Sequence, residues 1–515
     1  AEGGSPQQPA EPEPPRTRVD VDGLDQRLVA MPVPAGRYSS LQAVAGGIVW
    51  LHEPLQGETG DDRARVTDEA ARPSLEHLSL ATGVVTTLAE PVDAVYASGD
   101  GKRLVVRDKG ALRVVPADHK AESAAGQPAS PDVAEVDLDR VRVHVEPVVE
   151  WRQMYDEAWR LMRDHFWRAD MGGVDWSRAH DRYAALIGRI GSRDDLVDLI
   201  WEMHGELGSS HAYCAAPAAP PDPARQQGLL GADLELVDGR WVLRRIVLGE
   251  ASDPRARSPL TAPGVAVREG DVVVAVDGHP VSETISPAAL LVGAAGKPVE
   301  LTVAPRGGVA TRHVAVVPLA NELPLRYQDW VRDRRQYVHA RTEGRVGYVH
   351  VPDMSFVGWA QLHRDLATEV GRDGLVVDIR GNGGGFISQL VVEKLMRTII
   401  GWDCPRGYRP ASYPQNARRG PMVAVTDMYA GSDGDIVTAA IRSYGLGPVI
   451  GTRTWGGVIG IDGRYRLVDG TTVTQPRYPF WFEKFGWGVE NHGVDPDIEV
   501  VTRPQDRVSG DDVEL

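Results

Sequence analysis

The sequence predicts a multidomain chain of mixed α+β and α/β class. Three observations carry this expectation. The 515 residues exceed what a single hydrophobic core organises. Hydrophobic periodicity changes along the chain, from short strand-like runs to helical spacing and back to strands. Beyond residue 319, strands and helices alternate in the manner of a layered, partly parallel sheet.

Residues 1–25 are rich in Pro, Glu and Gln and nearly free of large apolar groups. They cannot bury enough surface to offset their ordering entropy and are expected to be a disordered linker. Over 26–143 short runs such as GGIVWLHEP, HLSLATGVVTTLAE and ALRVVPAD are split by turn residues. Ser98-Gly99-Asp100-Gly101 between two of them is a hairpin signal. This spacing suits about two blades of a β-propeller, a remnant rather than a closed ring, followed by a polar linker. Over 144–215 a small helical domain is expected. A first helix starts near Glu150, with Met154, Ala158, Leu161, Met162 and His165 on one face, and a second runs through DRYAALIGRI. A third runs from Ser192 to about Leu207, opened by a Ser-x-x-Asp cap pattern.

After a Pro-rich linker, residues 222–318 read as a β-rich unit that resembles a PDZ domain, through Gly228-Leu229-Leu230-Gly231 and the run REGDVVVAVDG at 268–278. Such a unit either takes up a peptide strand or serves as packing. Residues 319–515 then form the α/β part, with GRVGYVHV and GLVVDIR as strands and helices around WAQLHRDLATEV and ISQLVVEKLMRTI.

Composition excludes several function classes. The net charge of −16 without a dense Lys/Arg block argues against nucleic acid as a partner. No apolar run reaches the roughly 20 residues that span a bilayer, and no charged-then-apolar leader opens the sequence, so no membrane partner is expected. The two cysteines, Cys214 and Cys404, have no metal-type spacing and no nucleophile setting. They favour a reducing, cytoplasmic setting over a disulfide framework.

Four stretches carry candidate chemistry. In MYAGSDGDIVTAAIRSYG a buried strand ends in a tight turn of small residues, and a helix starts near Gly434. Ser432 then sits at a helix N-terminus, where unpaired N–H groups favour a developing oxyanion; it could equally be an ordinary helix-capping serine. GLVVDIRGNGGG places a triple glycine after a strand, allowing close backbone approach to a ligand. It lacks the Lys-Ser/Thr ending of a P-loop, so oxyanion or peptide contact is at least as good a reading as phosphate. Ser210-His211 follows a helix-ending glycine, and Glu490 lies in the Gly- and aromatic-rich FGWGVENHGVDPD. A carboxylate there can orient a histidine. Asp495 and Asp497 imitate metal ligands, but a turn before a last strand accounts for them.

In this order, SSH, the PDZ-like unit, DIRGNGGG, WDCP, YAGSDGD, IGTRTWGGVIG and GVENHGVDPD closely resemble the tricorn protease family over roughly residues 140–500. That resemblance implies a crotonase/ClpP-like α/β catalytic core without metal or organic cofactor. It implies Ser432 as nucleophile, His211 as general base, and Ser210 and Glu490 completing a tetrad. The amides of Gly385 and Asp433 would form the oxyanion hole, with the donor glycine among 383–385 left open. Asp403 would sit in the S1 pocket and favour a basic P1 side chain. C-terminal processing peptidases share the PDZ insertion but use a Ser/Lys dyad, and Gly457 stands where their Lys would be. With no amine there, a neutral histidine is the expected base. Full tricorn proteins carry two complete propellers, so gated entry is not expected of this chain alone; a homo-oligomer, a hexamer by the resemblance, is.

The resulting expectation is a serine peptidase acting on short or unfolded peptides through an acyl-enzyme, preferring basic P1 residues. The alternative is a catalytically inactive peptide-binding scaffold fragment. A crotonase-like acyl-CoA enzyme would share the α/β core but explains neither the PDZ-like insertion nor Asp403.

Overall fold

The computed structural model describes residues 21–27, 30–54, 72–121, 132–250, 253–308 and 310–515. Most of the linker expected over 1–25, and of the polar stretch near 122–131, lies outside the described residues. The chain divides into two units, Ala1–His144 and Val145–Leu515.

Among the described residues of the first unit, alternating apolar residues make eight short strands. β1 (Arg37–Val44), β2 (Gly47–Glu53), β3 (Ser74–Ser79) and β4 (Val85–Ala89) form one antiparallel meander. β5 (Ala94–Ala97), β6 (Arg103–Asp108), β7 (Ala111–Pro116) and β8 (Ala134–Val136) form a second. The turn at Ser98–Gly101 does join β5 to β6; the Asp100 carboxylate accepts from Ser98 Oγ at 2.6 Å and from Lys102 N at 3.0 Å. Val49, Leu51, Leu75, Leu104 and Val106 fill a shared core. Burying a side chain of this size contributes about 1.5–3 kcal/mol. The second meander takes its last strand from beyond the polar stretch, a pairing the short run at 134–136 gives no local hint of.

The second unit opens with three helices. α1 (Pro147–His165) starts at the proline that fixes its first turn, three residues before the expected Glu150. α2 (Trp176–Ala184) begins earlier than DRYAALIGRI suggests, because the Asp175 side chain caps it. α3 (Arg193–Gly205) carries a complete capping box between Ser192 and Asp195. Their apolar faces meet in a core of Met154, Tyr155, Met162, Ile200 and Met203. β9 (Cys214–Ala215) follows.

β10 (Ala232–Val237), β11 (Arg240–Ile246), β12 (Val272–Val276), β13 (His279–Pro280), the one-turn α4 (Pro287–Leu290), β14 (Val299–Ala304) and β15 (Arg312–Val316) build the β-rich unit. Its sheet is antiparallel in the order β10-β11-β12-β14-β15, with β13 paired to β12. In the Gly228–Gly231 loop the first two backbone donors are already engaged. Gly228 N and Leu229 N already donate to Leu291 O and Leu319 O, and a Cβ at Gly231 would meet Leu325 at 2.6 Å and Ser258 at 3.0 Å.

α5 (Leu323–Arg341) was not foreseen; its Arg- and Asp-rich sequence hides the few apolar positions, Leu325, Val331 and Val338, that it buries. Then come β16 (Val346–His350), α6 (Phe356–Glu369), β17 (Gly374–Asp378), α7 (Ser388–Met396), β18 (Gly401–Asp403), β19 (Ala411–Tyr413), β20 (Met422–Thr426) and α8 (Asp433–Tyr444). β21 (Val449–Gly451), β22 (Gly460–Asp462), β23 (Thr472–Val473), β24 (Gln475–Tyr478), β25 (Ile498–Glu499) and α9 (Pro504–Ser509) complete the chain. β16, β17, β20, β21 and β25 form one parallel sheet in that order. A parallel sheet is covered on both faces, which is why its strands read as continuous apolar runs. β23 pairs with β9, so Val473 enters the core of α1–α3 and ties helical segment to sheet. Among the described residues no helix is long and apolar enough to cross a membrane.

Candidate active site

Ligand sites in such sheets form beyond the carboxyl ends of the strands, and the loops leaving β17, β20 and β21 meet there. β20 ends at Thr426, and the turn that follows is held by Asp427, whose Oδ1 accepts from Tyr429 N at 3.0 Å and from Gly381 N at 2.9 Å. Gly431 N donates to Asn382 O at 3.0 Å. Ser432 follows with φ 56° and ψ −117°, a conformation that costs a non-glycine residue about 1–3 kcal/mol. Its carbonyl accepts the first bond of α8 from Ile436 N, yet its hydroxyl makes no cap hydrogen bond. It is therefore not an ordinary capping serine: the backbone is strained and the Oγ is left available. The neighbouring Asp433 carboxylate accepts from Ser388 N at 3.0 Å and Ser388 Oγ at 2.9 Å, tying α8 to α7.

The glycine loop approaches this turn closely. A Cβ on Gly384 would lie 2.6 Å from Ser432 Cβ, and one on Gly385 only 2.1 Å from Met354 O. Asn382, fully buried, bonds Val351 O through Nδ2 at 2.7 Å and accepts from Gly384 N at 2.9 Å. Gly383 N donates to Pro352 O at 3.1 Å, whereas the Gly385 N–H has no partner among the described residues.

His211 lies beyond the end of α3, with φ 62° and 8% of its surface exposed. Its Nδ1 is 2.9 Å from Ser210 Oγ, and Ser210 Oγ donates to Glu490 Oε2 at 3.1 Å. Glu490 also accepts from Ser210 N at 2.8 Å and from Val458 N at 2.8 Å. A carboxylate only accepts, so the single Ser210 proton points to Glu490 and Ser210 Oγ accepts from Nδ1–H. Nε2 is then the unprotonated nitrogen. Burial pushes the imidazole pKa below its ordinary value, while the Glu490 charge works in the opposite direction. Glu490 and Ser210 stand 280 residues apart in sequence, and the fold brings them together.

Ser432, His211, Gly383, Gly385, Trp455 and Tyr478 line one cleft of about 780 Å³. Ser210 and Glu490 support His211 from behind. Asp403 is not among the lining residues: it is exposed at the end of β18, which forms a two-stranded hairpin with β19. Asp495 pairs with Arg453 at 2.6 Å and His492 at 3.0 Å, and Asp497 with Val449 N at 2.9 Å, so both serve the turn before β25. Among the described residues no group of three or more His, Cys, Asp or Glu is placed to hold a metal. Sequence reasoning missed Asn382, Asp435 and Trp455. The signals were present: a polar residue inside a glycine run, an acid heading a buried helix, and an indole beside paired glycines.

The model described as peptidase family S41 matches residues 345–500, the stretch that holds the parallel sheet and Ser432. Models of the tricorn protease C1 domain and the tricorn protease PDZ domain match residues 147–205 and 228–321. The chain belongs to the tricorn protease family. Tricorn protease homolog 1 of Streptomyces coelicolor is 58% identical over 502 residues, 97% of this chain and 47% of that protein. Tricorn protease of Thermoplasma acidophilum is 35% identical over 498 residues, 96% of this chain and 45% of that protein. A crystal structure of the tricorn protease superposes with a TM-score of 0.83 at 34% identity, covering 94% of this chain and 46% of that one. The chain thus spans about half the length of the curated relatives it matches.

Proposed function

We propose that the chain is a serine peptidase that hydrolyses short or unfolded peptides through an acyl-enzyme on Ser432. Ser432 Oγ attacks the scissile carbonyl carbon as its proton passes to His211 Nε2. The carbonyl oxygen becomes an oxyanion between the N–H groups of Gly385 and Asp433. The C–N bond then breaks, the imidazolium proton leaves with the amine, and water repeats the sequence on the ester. Ser210 and Glu490 hold the imidazole and stabilise its charged form. The free Gly385 N–H, beside two glycine amides already engaged, supports Gly385 as the donor of the run.

The observation that carries this reading is the Glu490–Ser210–His211 chain ending in the same cleft as a strained, uncapped serine. Ser432→Ala and His211→Ala should each abolish the burst of product that marks acyl-enzyme formation. Near wild-type turnover in either would end the assignment.

A preference for Lys or Arg at P1 belongs to the same proposal and rests on Asp403, which would have to reach the cleft from the exposed β18–β19 hairpin. So do a homo-oligomeric assembly, with a hexamer as its finer form, and cytoplasmic residence, with which the unpaired Cys214 and Cys404 agree. The second reading, an inert peptide-binding fragment, draws on one observation: Ser432 Oγ and His211 form no hydrogen bond with each other among the described residues. Such bonds often tighten only when substrate binds, and turnover separates the two readings.

A further inference from the structure

Asp435, in the first turn of α8, has no exposed surface. Its Oδ1 accepts from Gly456 N at 2.8 Å and its Oδ2 from Gly457 N at 3.1 Å. Both partners are backbone donors and neither is a cation. Burial raises the pKa of this carboxyl, and hydrogen bonding from the surrounding turns opposes that rise. A carboxylate in such a place is kept only where fixed donors offset its desolvation.

The nest joins two turns. One carries Ser432. The other, 454–457, carries Trp455, whose ring is slotted between two glycines. A Cβ on Gly457 would lie 2.2 Å from Trp455 Cζ3, and one on Gly431 2.8 Å from Cε3. Trp455 N also donates to Ala430 O at 3.1 Å. The indole then meets His211 edge to face, with ring centroids 5.1 Å apart at 82°. Beyond Trp455 the same turn reaches the acid behind His211. Gly456 O accepts from Asn491 N at 2.7 Å, and Val458 N donates to Glu490.

We propose that Asp435 is a positioning residue: it locks the 454–457 turn onto the start of α8 and, through Trp455, fixes the imidazole of His211 relative to Ser432. This rests on the peptidase reading above. Asp435 itself touches no substrate, since it does not line the cleft. Trp455, 45% exposed, forms the cleft wall.

The test compares wild type, Asp435→Asn, Trp455→Ala and the double variant on a fluorogenic peptide with Arg at P1. Thermal midpoints are recorded alongside, together with the ring-proton NMR signal of His211, assigned by its loss in His211→Ala. Asp435→Asn should lower kcat about 100-fold, the scale of a misplacement near 1 Å. Its KM should stay within about twofold, because no substrate contact is lost. The double variant should lose no more than the worse single variant, since both act on one contact. The His211 signal, displaced by the indole ring current, should move the same way in both single variants. Wild-type kcat in Asp435→Asn, losses that multiply to about 10⁴-fold in the double variant, or an unmoved His211 signal would each overturn the inference. If Asp435→Asn does not fold, Asp435→Glu, which keeps the charge but not the reach to Gly456 N and Gly457 N, replaces it. It should lower kcat at least about tenfold by displacing the turn and move the His211 signal the same way; unchanged kcat and signal there overturn the inference as well. A wild type that turns over nothing while the signal moves as expected would sink the peptidase reading and leave this one standing.

Discussion

At the scale of single residues, His211 is a histidine held neutral by burial and steadied by a carboxylate one hydroxyl away. Its folded pKa lies below the ordinary 6.5. Protonation removes the base, so activity falls with pH, but the acid limb of kcat/KM should lie below that of a free imidazole. Glu490→Gln removes the charge that opposes burial, so the limb should shift further down. At neutral pH kcat should also fall by about 10²-fold or more as the imidazolium loses its support; an unshifted limb would show that Glu490 does not act on His211. His204 makes a related statement about stability. It is buried in α3 and stacked on Trp176, and its pKa is pushed down to about 4. Between pH 6.5 and 4 the unfolded chain binds a proton that the native state does not, so stability is lost as pH falls through that window. The loss at pH 5 is about 2 kcal/mol from this residue. Denaturant midpoints at pH 7 and pH 5 should differ less in His204→Leu than in wild type, and an equal difference would remove His204 as the cause.

At the scale of elements, the Ser432 side of the site is made by three loops at the carboxyl ends of β17, β20 and β21, each with little room to move. Gly385→Ala puts a Cβ about where Met354 O stands. The loop must shift, and kcat/KM should drop by about 10²–10³-fold, the effect of losing one oxyanion donor. Unchanged kcat/KM in a folded Gly385→Ala protein would exclude that amide from the reaction. Signals written in a few neighbouring residues were legible in the sequence. They include the Ser192 capping box, the Ser98–Gly101 hairpin, the apolar β17 and β20, and the glycine run beside Ser432. What the sequence hid is long-range or masked by charge. α5 buries only a few apolar residues among its arginines, β8 pairs across a polar stretch, and the bond from Ser210 to Glu490 spans 280 residues. The residue types at the site were readable from motifs. The hydrogen bonds that orient them, and the buried Asp435 that links two turns, follow only from the packed sheet.

At the scale of the whole molecule, the helical segment supplies His211 and Ser210 while the α/β part supplies Ser432 and Glu490. β9–β23 pairing and the shared core around Val473 hold the two together. Asp403 lies apart, exposed on its own hairpin. Asp403→Asn should erase a preference for Arg over Leu at P1 while leaving covalent labelling of Ser432 intact; a retained preference would place charge selection elsewhere. The central claim is that Ser432 and His211 act on one carbonyl. Mass spectrometry after treatment with a peptidyl chloromethyl ketone bearing Arg at P1 tests it most directly. The expected result is one adduct bridging Ser432 and His211, absent in Ser432→Ala. A folded protein left unlabelled, or labelled at other residues, would contradict it.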